Sequence, residues 1–235
     1  MRTPYIGSPR APSGRPRPAA RERSPIVCRP LSDRPRGSSR RPLSSSSRPL
    51  SSRVVVVRHG RTAWNARGLF QGQADPPLDS AGWCQAWRAA AELGVFAPAA
   101  VVSSDLLRAR QTACRIALCA EVDVLLDPAL REQDVGGWEG LTGLDASVAY
   151  PAEHLAWRAG LGPRRGGGET EAEAGERVAD ALRRAMGACP AGRSIVVVSH
   201  GVIIQSALRQ LRGPLPTVHL ANGQWVALPV RRVEG

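Results

Sequence analysis

Apolar residues fall in short blocks separated by polar stretches that carry glycine and proline. Val54-Val55-Val56-Val57 sets four β-branched residues in a row, the pattern of a strand covered on both faces. The pattern returns at Ile195-Val196-Val197-Val198, within a strand predicted over 194–199. Shorter strands are predicted at Ala100-Val101-Val102-Ser103 and from Val122 to Leu126. Between these blocks the apolar spacing becomes helical. Asp79 or Ser80 caps a helix over 80–94, with Trp83, Ala86, Trp87, Ala90 and Leu93 as its core face. Ser104 or Asp105 caps a second helix over 105–120, and further helices are predicted over 169–186 and 201–212. A hairpin over 217–221 and 224–230, turning at Asn222-Gly223, ends the pattern. Residues 130–143 are irregular and contain four glycines, and 144–168 read as an insertion of short helical pieces. Strands alternating with helices predict an α/β fold: a three-layer α/β/α sandwich with a mostly parallel central sheet.

Composition divides the chain of 235 residues in two. Residues 1–52 are rich in Pro, Arg and Ser and carry twelve Arg against Glu22 and Asp33. Such a segment buries too little apolar surface to offset its ordering entropy, so disorder is expected there. The remaining 183 residues carry 20 Arg against 18 acids and are close to neutral. The sequence pI of 11.2 therefore belongs to the tail. No nucleic-acid-binding motif accompanies it, so nucleic-acid contact is expected to be non-specific and through the tail alone. Every basic residue is Arg, so Arg identity alone says little about phosphate binding. The five cysteines (Cys28, Cys84, Cys114, Cys119, Cys189) are odd in number and include no Cys-x-x-Cys. They suggest neither a disulfide framework nor a zinc site. Those falling in helices, Cys84, Cys114 and Cys119, are expected to be buried small hydrophobes. With no apolar run of membrane-spanning length and no signal-peptide region, a cytoplasmic protein without a membrane partner is expected.

The candidate chemistry sits where two strands end. Val54–Val57 runs into Arg58-His59-Gly60, and the 194–199 strand runs into His200-Gly201. Ligands of open α/β sheets bind beyond the carboxyl ends of the strands. Arg108 lies in the first turn of the helix after a third strand, where free N–H groups also face an anion. Two Arg and two His around one point would draw a phosphate monoester and neutralise its equatorial oxygens. A neutral imidazole can attack phosphorus, and a carboxylic acid with a raised pKa can protonate the leaving alkoxide. Glu132, Asp134 and Glu139 are the candidate acids. Arg164 and Arg165 read as solvated loop charges, with a second anion site as the alternative.

Arg58-His59-Gly60-Arg61-Thr62-Ala63-Trp64-Asn65 resembles the Arg-His-Gly-x-Thr-x-x-Asn signature of the histidine phosphatase superfamily, also called phosphoglycerate mutase-like. Ser103 through Ala113, around Arg108, resembles the family's second motif. Leu130-Arg131-Glu132 through Trp138-Glu139-Gly140 resembles its acid-bearing segment, and Ser199-His200-Gly201 its final motif. Gln71-Gly72 through Pro77-Leu78, with Gly82, fits the loop before the first long helix. The likeness runs from Arg53 to about Val230 with all motifs in the family's order.

The resemblance implies a histidine phosphatase domain over 53–235. It implies that His59 is the phosphorylated nucleophile, Glu132 the proton donor and acceptor, and His200 a hydrogen-bond partner of the phosphate. Arg58 and Arg108 would clamp the phosphate, with Asn65, Gln71 and Gly201 completing the substrate-binding set. It implies no metal and no cofactor, a small phosphorylated metabolite as partner, and a homodimer as the common assembly. Family mutases carry a longer insertion and a C-terminal tail, so hydrolysis is expected over mutase-type transfer. Arg164 to Thr170 and Asn222 to Trp225 are similar to actinobacterial-type members, some of which act on glucosyl-3-phosphoglycerate. Other sugar phosphates and α-ribazole phosphate are further substrates of this branch.

Overall fold

A computed structural model describes residues 28–30, 51–213 and 219–230. Its sheet contains β1 (Cys28–Pro30), β2 (Arg53–Arg58), β3 (Pro98–Ser103), β4 (Val124–Leu126), β5 (Ser194–Ser199) and β6 (Trp225–Pro229), in the order β1-β4-β3-β5-β2-β6. All neighbours pair in parallel except β6, which runs antiparallel to β2. The helices are α1 (Ala63–Ala66), α2 (Ser80–Leu93), α3 (Leu107–Ala120), α4 (Gly143–Ala149), α5 (Pro151–Arg158), α6 (Glu171–Ala188) and α7 (Gly201–Arg212).

The valine run behaves as its pattern predicts. Val54 to Val57 are all fully buried, and successive side chains serve opposite faces of the sheet. Val54 and Val56 join Ile195 and Val197 against α6 and α7. Val55 and Val57 join Val196 and Val198 against α2 and α3. Helices on both faces make the sandwich three-layered. Burying each valine is worth roughly 1.5–3 kcal/mol, so β2 and β5 contribute heavily to both cores.

Several local expectations are corrected. Cys28–Pro30 lies in the segment expected to be disordered, yet it pairs along β4 in parallel register. An edge strand needs only backbone N–H and C=O groups for this, and Ile26-Val27-Cys28 is the one apolar triplet of the first 52 residues. Residues 1–27 and 31–50 lie outside the described residues. The hairpin does not form as expected: residues 219–221 are not a strand, and β6 pairs with β2 instead. The turn at 222–223 is present, but its Gly223 N–H is spent on the carbonyls of Arg58 and His59. β4 begins at 124 rather than 122 because Glu121, at φ 53°, closes α3 and Val122 N–H still bonds Ala117 O. No side chain caps α3. Asp75 Oδ1 accepts the Leu107 N–H, while Asp105 is drawn into an ion pair with Arg131.

Side-chain burial on α2 also differs from its pattern. Ala86, Ala90 and Leu93 are buried, but Trp87 is 49% exposed. The Arg115 guanidinium lies 3.8 Å from its ring centroid and 5.6 Å from that of Trp83. The small residues Gly82 and Ala89 are buried as well, Gly82 against the Arg61 backbone, where a Cβ would lie 2.0 Å from Arg61 O. Cys84 and Cys119 are exposed rather than buried, Cys114 is half-buried, and Cys189 is buried. Among the described residues no helix is long and apolar enough to cross a membrane.

This burial pattern predicts unequal costs for two truncations. Leu182→Ala, at a fully buried position of α6, is expected to lose about 2–5 kcal/mol of stability. Trp87→Ala is expected to lose about 1 kcal/mol or less, the worth of an exposed cation–π contact. Urea titrations of both variants check this, and a Trp87→Ala loss as large as that of Leu182→Ala would restore Trp87 to the core.

Candidate active site

Strand register brings the two histidines together. Arg58 at the end of β2 is level with Ser199 at the end of β5. The next residue of each strand is a histidine, and His59 N–H bonds Ser199 O at 3.0 Å. Their rings lie 5.0 Å apart between centroids. Both are buried.

Each imidazole has one nitrogen engaged. His59 Nδ1 lies 2.7 Å from Gly60 O. Only an N–H can bond a carbonyl, so Nδ1 carries the proton and Nε2 keeps its lone pair. Burial and the nearby Arg108 and Arg58 hold the His59 pKa well below the ordinary histidine value, against the Gly60 hydrogen bond. His200 Nε2 lies 2.9 Å from Ser104 Oγ, which also accepts the Leu106 N–H at 3.3 Å. When the Ser104 hydroxyl donates to Nε2, Nδ1 carries the proton as a buried donor with no protein acceptor. Burial, then Arg108, His59, Arg58 and Arg177, keep His200 neutral as well.

Two guanidiniums flank the imidazoles. Arg108 is fully buried at the start of α3, with Nη1 on Ala74 O at 2.7 Å and Nη2 on Gly72 O at 2.8 Å. Burial lowers its pKa to about 10. Arg58 donates from Nη1 to Leu220 O at 2.8 Å. The Nε of each is buried without a protein partner. An unsatisfied buried donor costs about 1–3 kcal/mol, so these N–H groups, like His200 Nδ1–H, suit an acceptor arriving from solution. Gly201 is required where α7 begins: a Cβ there would lie 2.9 Å from Arg58 Cζ. Its absence lets the guanidinium approach the helix N-terminus, itself favourable for an anion.

Of the three candidate acids, the structure brings only Glu132 to the cavity. Arg58, His59, Asn65, Gln71, Arg108, Glu132 and Arg165 line a pocket of about 150 Å³ with Phe70, Gln133 and Val135. Burial pushes the Glu132 pKa up, opposed by the Gln133 N–H and by Arg108, Arg58 and Arg165. Asp134 instead caps a turn through Gly136 N–H at 2.8 Å. Glu139 Oε1 accepts the N–H groups of Gln73 and Ala74 at 2.6 and 3.0 Å, holding the loop whose carbonyls grip Arg108. Asn65 Oδ1 takes Thr62 N–H and Asn222 Nδ2, which leaves its own NH₂ group for a ligand. Gln71 accepts from Thr62 Oγ1 at 2.9 Å and likewise keeps its NH₂.

The sequence reading missed several supporting residues. Asn222 Nδ2 donates to His59 O at 3.1 Å, although the pair Asn222-Gly223 read only as a turn. Arg177 donates to Ala129 O and Arg131 O at 2.9 Å and to Glu132 O at 3.3 Å, and pairs with Glu169, fixing the segment that carries Glu132. Nothing in its helical context signals that task. Arg164 is a surface charge paired with Glu173, as expected. Arg165 is not: it is 6% exposed and faces the pocket.

A family model described as the histidine phosphatase superfamily (branch 1) matches residues 54–231. The chain is 35% identical over 188 residues to a glucosyl-3-phosphoglycerate phosphatase of Mycolicibacterium vanbaalenii, covering 75% of this chain and 83% of that one. It is 34% identical over 187 residues to a metal-independent phosphoserine phosphatase of Arabidopsis thaliana, covering 74% and 78%. A solved structure of mycobacterial glucosyl-3-phosphoglycerate phosphatase with VO3 aligns at a TM-score of 0.67 and 32% identity, over 74% of this chain and 90% of that one.

The environment of Glu132 predicts a pH-dependent stability difference. Its folded pKa is raised above the unfolded value. The wild type therefore loses stability as pH rises from the ordinary carboxylate range through that raised pKa, and Glu132→Gln does not. The variant is expected to melt higher than wild type at pH 7–8, the gap closing below about pH 4. A gap that stays constant across this range would mean that the carboxyl is not held in its neutral form.

Proposed function

The chain belongs to branch 1 of the histidine phosphatase superfamily, and on that premise we propose that it hydrolyses a small phosphorylated metabolite through a phosphohistidine at His59. It is a phosphoric monoester hydrolase. The observation that carries the mechanism is one juxtaposition. A buried, neutral His59 with Nε2 open shares a cavity with the buried Arg108, the half-buried Arg58 and a carboxyl of raised pKa.

His59 Nε2 attacks phosphorus and the ester P–O bond breaks. Glu132 gives its proton to the departing oxygen, so the alcohol leaves neutral. Arg58, Arg108 and His200 Nδ1–H hold the phosphoryl oxygens as charge moves onto them. Glu132, now ionised, takes a proton from water while the water oxygen attacks phosphorus. The P–N bond breaks, inorganic phosphate forms, and His59 and Glu132 return to their starting states. The side chains supply all the charge neutralisation, which supports metal-independent turnover. The names of the relatives favour glucosyl-3-phosphoglycerate or phosphoserine as substrates to test.

Phosphate release by the full chain should survive EDTA and fall to background in His59→Ala. Glu132→Gln should lose roughly 10²–10⁴-fold in kcat on alkyl phosphates. The profile of kcat/KM should be bell-shaped: His59 protonation on the acid limb, below the ordinary histidine pKa, and Glu132 ionisation on the alkaline limb, above the ordinary carboxylate pKa. Isomerisation of 3-phosphoglycerate without phosphate release would instead identify a mutase.

A further inference from the structure

Arg165 is the one cation of the pocket that the mechanism above does not use. It opens the short turn Arg165–Gly167 between α5 and α6. The turn is fixed in place. Gly166, at φ 55°, presses on the segment that follows Glu132, where a Cβ would lie 2.3 Å from Gly137 N. Its own N–H donates to Glu153 Oε2 of α5 at 2.7 Å.

The guanidinium is built in, yet bonded to no carboxylate among the described residues. It lies 5.7 Å from the Phe70 ring centroid and 5.9 Å from that of Trp138. Its protein acceptor is Gln133 Oε1, a neutral oxygen. Gln133 is itself buried and oriented by Nε2 on Glu169 O at 2.7 Å. More exposed arginines have carboxylate partners: Arg131 with Asp105, Arg164 with Glu173, Arg177 with Glu169. Arg165, which is more buried, forms no ion pair among the described residues. Glu132, across the pocket, and Glu171 of α6 act on it at a distance without a direct bond. Most of its N–H donors remain available on a cavity wall distinct from the strand ends that hold Arg58 and the histidines.

We propose that Arg165 anchors a substrate carboxylate, so that the enzyme prefers phosphomonoesters of small hydroxy acids to uncharged analogues of the same shape. The inference rests on the proposed phosphatase reading and adds the substrate class. A planar guanidinium flanked by aromatic rings presents a fork that matches a carboxylate in two-point contact. The cavity of about 150 Å³ has room for a phosphoryl group and a chain of a few carbons. An acid group near the ester carbon therefore falls within reach of Arg165, and any larger substituent must extend out of the cavity.

The test compares pairs that differ in the carboxylate: 3-phosphoglycerate against glycerol 3-phosphate, and phosphoserine against phosphoethanolamine. In the full-length wild type, the acid of each pair should be favoured roughly 10- to 100-fold in kcat/KM, mostly through KM, as expected for a charge-assisted hydrogen bond. Arg165→Gln should bring each ratio to near one, and Arg165→Lys should recover part of it. A ratio unchanged in Arg165→Gln, or no preference in a wild type that turns over both members, overturns the proposal. Calorimetric binding of the same compounds to His59→Ala, with and without Arg165→Gln, reads the anchor without turnover. A preference there that depends on Arg165 supports the anchor even if the phosphatase reading fails. Equal affinities within each pair reject it.

Discussion

Arg108 is buried and Arg58 half-buried beside two buried imidazoles, with Glu132 as the one carboxyl lining the cavity that the two arginines share with His59. Burying like charge in this way is costly unless polar groups replace the lost water. Main-chain carbonyls do that here: Gly72 and Ala74 for Arg108, Leu220 for Arg58. Each carbonyl belongs to a loop, and each loop must be held. Glu139 holds the first through two N–H groups. Gly223, bonded back to the ends of β2, holds the second. Much of the irregular backbone around the site follows from this need to solvate two cations with fixed dipoles.

The same field sets the protonation states. Two arginines nearby make a second positive charge on either histidine unfavourable, so both imidazoles stay neutral. They also favour ionised Glu132, but burial outweighs them and the carboxyl pKa rises. A bare imidazole lone pair and a carboxyl of raised pKa thus share one small cavity. Arg177 contributes at a distance, since its bonds to three carbonyls between 129 and 132 keep the acid's backbone from drifting.

Residues whose role is fixed by their own strand or motif were legible in the sequence. Val54 to Val57 and Ile195 to Val198 revealed a double-covered parallel sheet because β-branched runs admit few other uses. His59, His200, Arg58, Arg108 and Glu132 stood in ordered motifs, and the structure brings Arg58, His59, Arg108 and Glu132 to one cavity with His200 packed beside His59. Residues whose role depends on a distant partner were not legible. Trp87 carries the helical spacing of a core residue, but Arg115 from α3 covers it at the surface. Residues 217–221 look like a strand, yet at Leu220 the chain gives its carbonyl to Arg58. Arg165 reads as one more charge in an arginine-rich loop, and its inward place shows only where Gly166 packs on Gly137 and Gln133 accepts the guanidinium.

The wall bearing Arg165 rests on its own small cluster. Trp138 stacks with Phe70, Tyr150, His154 and Trp157, in a cluster separate from those that flank the sheet. The two histidines instead follow directly on β2 and β5, strands whose valines fill the cores on either side of the sheet. Substitutions in the aromatic cluster can therefore reshape what the cavity accepts while the strand ends, and the histidines they align, keep their register. An ancestral protein built this way could exchange one clientele for another through a handful of changes in a single movable partition. Lineages on such a scaffold would drift apart first in what they recognise, and only later, if at all, in how they break the bond.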